Sequence, residues 1–99
     1  TMYTNFDFSS NGFDFTGMVS TYGDDITFMG CTTVEGRSYL CSIDKTAGKR
    51  RRTVTTVERY DKEKRKFVGA KRYDENIKKL LQAATIAKYE IYLKLNKPF

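Results

Sequence analysis

The unit Phe6-Asp7-Phe8 recurs as Phe13-Asp14-Phe15, so aromatic and acidic side chains alternate on both sides of Ser9-Ser10-Asn11-Gly12. A period of two is that of a strand with one buried face. Asn-Gly tolerates positive φ at both central positions of a turn, which favours a type I′ hairpin. With Asn11-Gly12 as that turn, strands over Met2 to Phe8 and Phe13 to Ser20 set Phe8 opposite Phe15. Phe6 and Phe13 then share their face, and Asp7 and Asp14 point the other way. The pattern describes a core stripe backed by a solvated acidic face.

Tyr22-Gly23-Asp24-Asp25 reads as a second turn, Ile26 to Val34 as a third strand, Glu35-Gly36 as the next turn and Arg37 to Asp44 as a fourth strand. No proline occurs before Pro98, so nothing interrupts the ladder. Composition changes at Lys45-Thr46-Ala47-Gly48-Lys49, which reads as a loop within one domain. Thr53 to Tyr60 is β-rich, Phe67 to Tyr73 can return from it, and Asp61-Lys62-Glu63-Lys64 would form the tip. These last two strands alternate poorly.

The C-terminal segment changes period. Asp74 can cap a helix, and Glu75 lies in its first turn, where negative charge suits the dipole. Ile77, Leu80, Leu81, Ala84, Ala87, Ile91 and Leu95 then mark one helical face. Ile86, Tyr89 and Leu93 fall on the opposite side, and Tyr89-Ile91-Leu93-Leu95 also alternates as a strand would. One long helix with two apolar faces is the favoured reading, and it implies a partner or a second copy on the outer face. A helix ending near Lys88, followed by a short strand, is the alternative.

These elements make an α+β domain, a five- or six-stranded antiparallel sheet, mostly meander, packed by a C-terminal helix. Ninety-nine residues fit a single domain, 1–99. Within it, 1–44 is an acidic meander half, 45–73 a basic hairpin and 74–95 the helix.

Charge changes the picture more than composition does. Residues 1–44 hold one base, Arg37, against six acids, a charge of −5, while 45–99 hold 17 bases and six acids, a charge of +11. Fold stability does not require such a division, and a one-sided field points to a partner. Most of the excess lies ahead of the helix, between Lys45 and Arg72.

Several chemistries are poorly supplied. There is no histidine, hence neither the commonest general base nor the commonest metal ligand. No Gly-x-Gly occurs, and Gly48-Lys49 is followed by Arg50 rather than Ser or Thr, so neither a dinucleotide fingerprint nor a P-loop is present. Asp24-Asp25 is the tightest carboxylate pair, and in a turn it is solvated. Cys31 and Cys41 are expected to be two half-buried strand thiols in a reducing cytosol; a disulfide within one hairpin is the alternative, but with Glu35-Gly36 as the turn they face Leu40 and Gly30, a register that does not favour a bridge. No enzyme, cofactor or metal site is expected. No apolar run approaches the roughly 20 residues of a membrane span, and no signal peptide is visible, so a cytoplasmic protein is expected.

Cations with aromatics among them are what remains. Lys49, Arg50, Arg51 and Arg52 precede the hairpin, Arg59, Lys62, Lys64, Arg65 and Lys66 follow through its tip, and Lys71 and Arg72 close it. Tyr60, Phe67 and Tyr73 sit between them, as stacking or core residues. Cations that follow phosphates and rings that stack on bases suit single-stranded nucleic acid over duplex. The leading expectation is a non-enzymatic nucleic-acid-binding accessory protein. The alternative is a small inhibitor or adaptor, of the phage accessory type, that docks on an acidic surface of a larger complex. Ile86, Tyr89 and Leu93 are its candidate protein interface, and a homodimer through the helix is the related expectation.

Overall fold

A computed structural model describes residues 2–46, 52–69 and 75–96. Six strands and one helix follow in chain order: β1 (Met2–Ser10), β2 (Phe13–Tyr22), β3 (Asp25–Val34), β4 (Arg37–Thr46), β5 (Arg52–Asp61), β6 (Lys66–Gly69) and α1 (Glu75–Leu95). The strands form one antiparallel sheet in the order β1-β2-β3-β4-β5-β6, a meander with no crossover. The expected α+β sheet is therefore six-stranded. The loop after Thr46, the segment from Ala70 to Asp74 and the expected Asp74 cap lie outside the described residues.

The turns follow from local chemistry. Asn11 and Gly12 have φ of 54° and 80°, and Glu35 and Gly36 have 52° and 77°, so both hairpins close with positive φ at each central residue. That is the type I′ geometry, whose twist matches that of the flanking strands. At the tip of β5–β6 the Asp61 carboxylate accepts the backbone N–H groups of Glu63 (2.9 Å) and Lys64 (3.1 Å). These bonds hold its carboxyl below the usual carboxylate range.

Alternation assigns the faces. Phe6, Gly17, Gly30, Cys41 and Val57 lie opposite one another across β1 to β5, and Val19, Phe28 and Ile43 form the neighbouring row on the same side. Phe8 lies opposite Phe15 with its ring stacked on it at 4.7 Å. The helix lies across this side, against β5, β4 and β1. Ile77, Leu80, Ala84, Ala87 and Ile91 are buried at helical spacing, with Ala83 beside them, and Leu81 and Leu95 pack at the margin. Three alanines in this seam let the helix backbone approach the sheet closely. The Lys94 amine stands 5.2 Å from the centroid of the Phe6 ring, which places the C-terminal end of the helix by β1.

Residues 89–95 stay helical rather than forming a strand. Helical continuation carries the buried stripe from Ala87 to Ile91, which is fully buried, and burial of one such side chain is worth about 1.5–3 kcal/mol. The helix ends with Asn96 in the left-handed region (φ 53°), its N–H bonded to the Tyr92 carbonyl at 2.7 Å.

The cysteines are free, with Cys31 opposite Leu40 and Cys41 opposite Gly30. They are not two equivalent half-buried residues. Cys31 is exposed on the open face of the sheet and Cys41 is buried beneath the helix, because their positions in the ladder have opposite parity.

Candidate polyanion and protein interfaces

Lys62, Lys64 and Arg65 lie in the turn between β5 and β6, and Lys66 opens β6 opposite Asp61. All four are exposed. Arg65 has a φ of 53°, which lets the chain reverse into β6 at once. The tip is thus a short, protruding cationic end. Arg52 stands at the other end of β5, about 30 Å away at the rise of an antiparallel strand. Lys49, Arg50, Arg51, Lys71, Arg72 and Tyr73 lie outside the described residues.

Tyr60 and Phe67 are direct cross-strand partners, with ring centroids 5.4 Å apart at 68°. Tyr60 is exposed and Phe67 half-buried, so the pair covers a corner of the open face. Arg59 and Lys66, each next in sequence to one of these rings, point to the helix side, where Arg59 lies opposite Tyr39. The expected interleaving along the chain is therefore a division across the sheet. Along the strand the rings and cations lie on opposite faces, and the rings are nearest in sequence to the exposed turn at 62–65.

The same parity redistributes the charge of the described strands. Asp7, Asp14, Asp25, Asp44 and Glu58 all lie at positions facing the open side. Of the described strand cations, Arg37, Lys45, Arg59 and Lys66 face the helix side, and Arg52 alone faces the open side. Lys78, Lys79, Lys88 and Lys94 of α1 add to the helix side. Among the described residues the open face is mostly acidic and the helix side mostly basic, with Asp61, Glu75 and Glu90 as the acids there. Asp7 and Asp14 also have local partners: the Asp7 carboxylate accepts the Gly17 N–H at 3.2 Å, and Ser9 donates its hydroxyl to Asp14 at 2.5 Å. At the centre of the open face Met18 and Met29 are cross-strand neighbours, both nearly half exposed.

Ile86, Tyr89 and Leu93 are exposed on the outward side of α1, and Tyr92 flanks them. Tyr89 and Leu93 keep about three-fifths of their surface in water, at 62% and 58%. The sequence pattern had not singled out Tyr92 or the methionine pair. The first lies between the two helical faces, and the second becomes visible only when β2 and β3 are set in register.

Among the described residues, no three His, Cys, Asp or Glu side chains gather as a metal site. The depression between β5 and the start of α1 is lined by Thr55, Val57, Glu58, Gly69, Ile77 and Leu81, with a single carboxylate. No described helix is long and apolar enough to cross a membrane. Comparison of the chain with protein-family models, with curated proteins and with solved structures finds no match.

Proposed function

We propose that this chain is a non-enzymatic nucleic-acid-binding accessory protein that grips phosphates with the tip of the β5–β6 hairpin and prefers single strands to duplex. The observation that carries the reading is the placement of Lys62, Lys64 and Arg65 in one exposed turn, with Lys66 directly after it and the Tyr60–Phe67 pair beside it. A protruding cationic end follows a flexible backbone more readily than a rigid rod, and an exposed ring at its base offers a stacking surface that any base can use. Arg52 and Arg59, and Lys49, Arg50, Arg51, Lys71 and Arg72 outside the described residues, are the further phosphate contacts of this reading. The acid-bearing remainder of the open face repels phosphate, so the nucleic acid approaches at the tip, where the Tyr60–Phe67 corner adjoins the cationic turn. Phosphate contacts of this kind position the ligand without reading its sequence. The reading places the protein in the cytoplasm, where Cys31 remains a thiol.

Fluorescence anisotropy with labelled single-stranded and duplex oligonucleotides across a salt series tests this. About six phosphate contacts give a log–log slope near −4 on single strand and about −5 on duplex. Absence of binding at low salt removes the reading.

A second reading rests on the outward stripe of α1. Ile86, Tyr89 and Leu93 form an exposed apolar seam that suits docking on a larger complex, as an inhibitor or adaptor would. Partners that survive nuclease treatment in a pull-down, and are lost on Tyr89→Ser, favour it over the first.

A further inference from the structure

β1 is an edge strand of nine residues with nothing described alongside it. Sheet edges present rows of unpaired N–H and C=O groups, and proteins ordinarily blunt them with lysine, proline, a bulge or a covering segment. β1 carries no lysine, arginine or proline, and its register with β2 runs unbroken from Met2 to Ser10. Its one charge, Asp7, leans towards β2, where it accepts the Gly17 N–H.

The turn decides which backbone groups face outward. Ser10 and Phe13 flank a two-residue hairpin loop and therefore form a hydrogen-bonded pair. Alternation from there commits the N–H and C=O groups of Ser10, Phe8, Phe6, Thr4 and Met2 to β2. Those of Tyr3, Asn5, Asp7 and Ser9 point away from the sheet.

We infer that two copies of this chain pair through their β1 edges, antiparallel, about a two-fold axis at Phe6, to make one continuous sheet. In this register Tyr3 meets the second copy's Ser9, and Asn5 meets the second copy's Asp7. Every outward-facing group of the four residues is then hydrogen-bonded. The Asp7 carboxylate holds the Gly17 N–H through Oδ1, and its Oδ2 accepts the second copy's Asn5 amide on the open face, twice by symmetry. On the helix side the two Phe6 rings become neighbours. Moving the register two residues one way sets Asp7 against the second copy's Asp7; moving it the other way sets Asn5 against the second copy's Asn5 and loses both amide–carboxylate pairs. Self-complementarity of charge and of backbone groups thus selects one occupant and one register. The inference does not depend on the nucleic-acid reading, because β1 and the β5–β6 tip lie at opposite edges of the sheet.

Sedimentation of the full chain without nucleic acid, over a wide range of concentration, tests the pairing. The expected mass rises from 11.5 kDa towards twice that value. Asn5→Asp places two acids opposite two acids and is expected to weaken the dimer about three- to tenfold, whereas Asn5→Lys places opposite charges together and retains it. Asn5→Pro removes an outward N–H that β2 does not use and is expected to leave a monomer. Amide exchange at Tyr3, Asn5, Asp7 and Ser9 should slow as protein concentration rises. A species of 11.5 kDa at every concentration overturns the inference. So does a dimer that tolerates both Asn5→Asp and Asn5→Pro and disappears on Tyr89→Ser, since that contact belongs to the helix.

Discussion

The ring of Phe28 fills the space that a side chain at Gly30 would need. A Cβ on Gly30 would stand 2.5 Å from its Cζ, and one on Gly17, across the ladder, would stand 2.7 Å from its Cε2. Two adjacent glycines on β2 and β3 therefore form a seat on which a fully buried ring lies, with the helix above. Gly30→Ala is expected to cost about 1–3 kcal/mol in chemical denaturation, because the ring has no room to retreat. Gly17→Ala should cost more, since its Cβ would also meet the Met29 carbonyl at 2.7 Å, and backbone does not yield as a side chain does.

Tyr39 is buried with its hydroxyl lacking a hydrogen-bond partner among the described residues. A buried unpaired hydroxyl costs about 1–3 kcal/mol. Tyr39→Phe removes that cost and keeps the ring, so the variant should be more stable than wild type by about 1 kcal/mol in thermal or urea unfolding. A less stable variant would mean that the hydroxyl has a partner.

Burial beneath the helix pushes the Cys41 thiol up to about 11, against a smaller opposing pull from Lys88. The folded state therefore holds this proton over a range in which the unfolded chain releases it. Stability is unaffected by Cys41 below the ordinary thiol range and falls as pH rises from about 9 to about 11, by about 2–3 kcal/mol in total. The loss should vanish in Cys41→Ala when the two pH profiles are overlaid. At neutral pH a maleimide should label exposed Cys31 rapidly and Cys41 only through unfolding.

The β5–β6 tip offers a quantitative test of the proposed function. Lys62→Glu with Lys64→Glu leaves the Asp61 turn intact, because that turn uses the backbone N–H groups of Glu63 and Lys64. Loss of two phosphate contacts should flatten the single-strand salt slope by about 1.4. Tyr60→Ala should instead weaken single-strand binding by about 1–3 kcal/mol while leaving the slope unchanged. A variant pair that affects both quantities alike would argue against separate stacking and phosphate roles.

Opposite sides of α1 should respond oppositely to substitution. Tyr89→Ser and Leu93→Ser lie in water and should each change stability by no more than about 0.5 kcal/mol. Ala87 is buried against the sheet, and Ala87→Leu should cost about 1–3 kcal/mol. Denaturation curves of the three variants measure this directly.

Local pattern was enough for much of the fold. Asn11-Gly12 and Glu35-Gly36 close two-residue turns with positive φ, which the second-position glycines favour, and so fix the hairpins and with them the pairing of Phe8 with Phe15 and of Cys31 with Leu40. Helical spacing from Ile77 to Leu95 was equally legible, and so was the outward stripe of Ile86, Tyr89 and Leu93. The candidate site was legible as a set of residues rather than as an arrangement. Arg59 and Tyr60 are neighbours in the chain and occupy opposite faces of the sheet.

The sequence by itself determined the first four strands, the registers set by their two-residue turns, the helix and the division of charge along the chain, because each depends on residues close in sequence; the β4–β5 register and the β5–β6 turn, which spans 62–65 rather than the expected 61–64, did not follow from it. Only the tertiary structure decided which side of the sheet the helix covers, which thiol is buried, where Phe28 finds room and which face collects the acids. Those outcomes depend on the parity of five successive pairings and on what packs against the resulting surface. A linear charge map therefore becomes a map of faces only when every strand is in place.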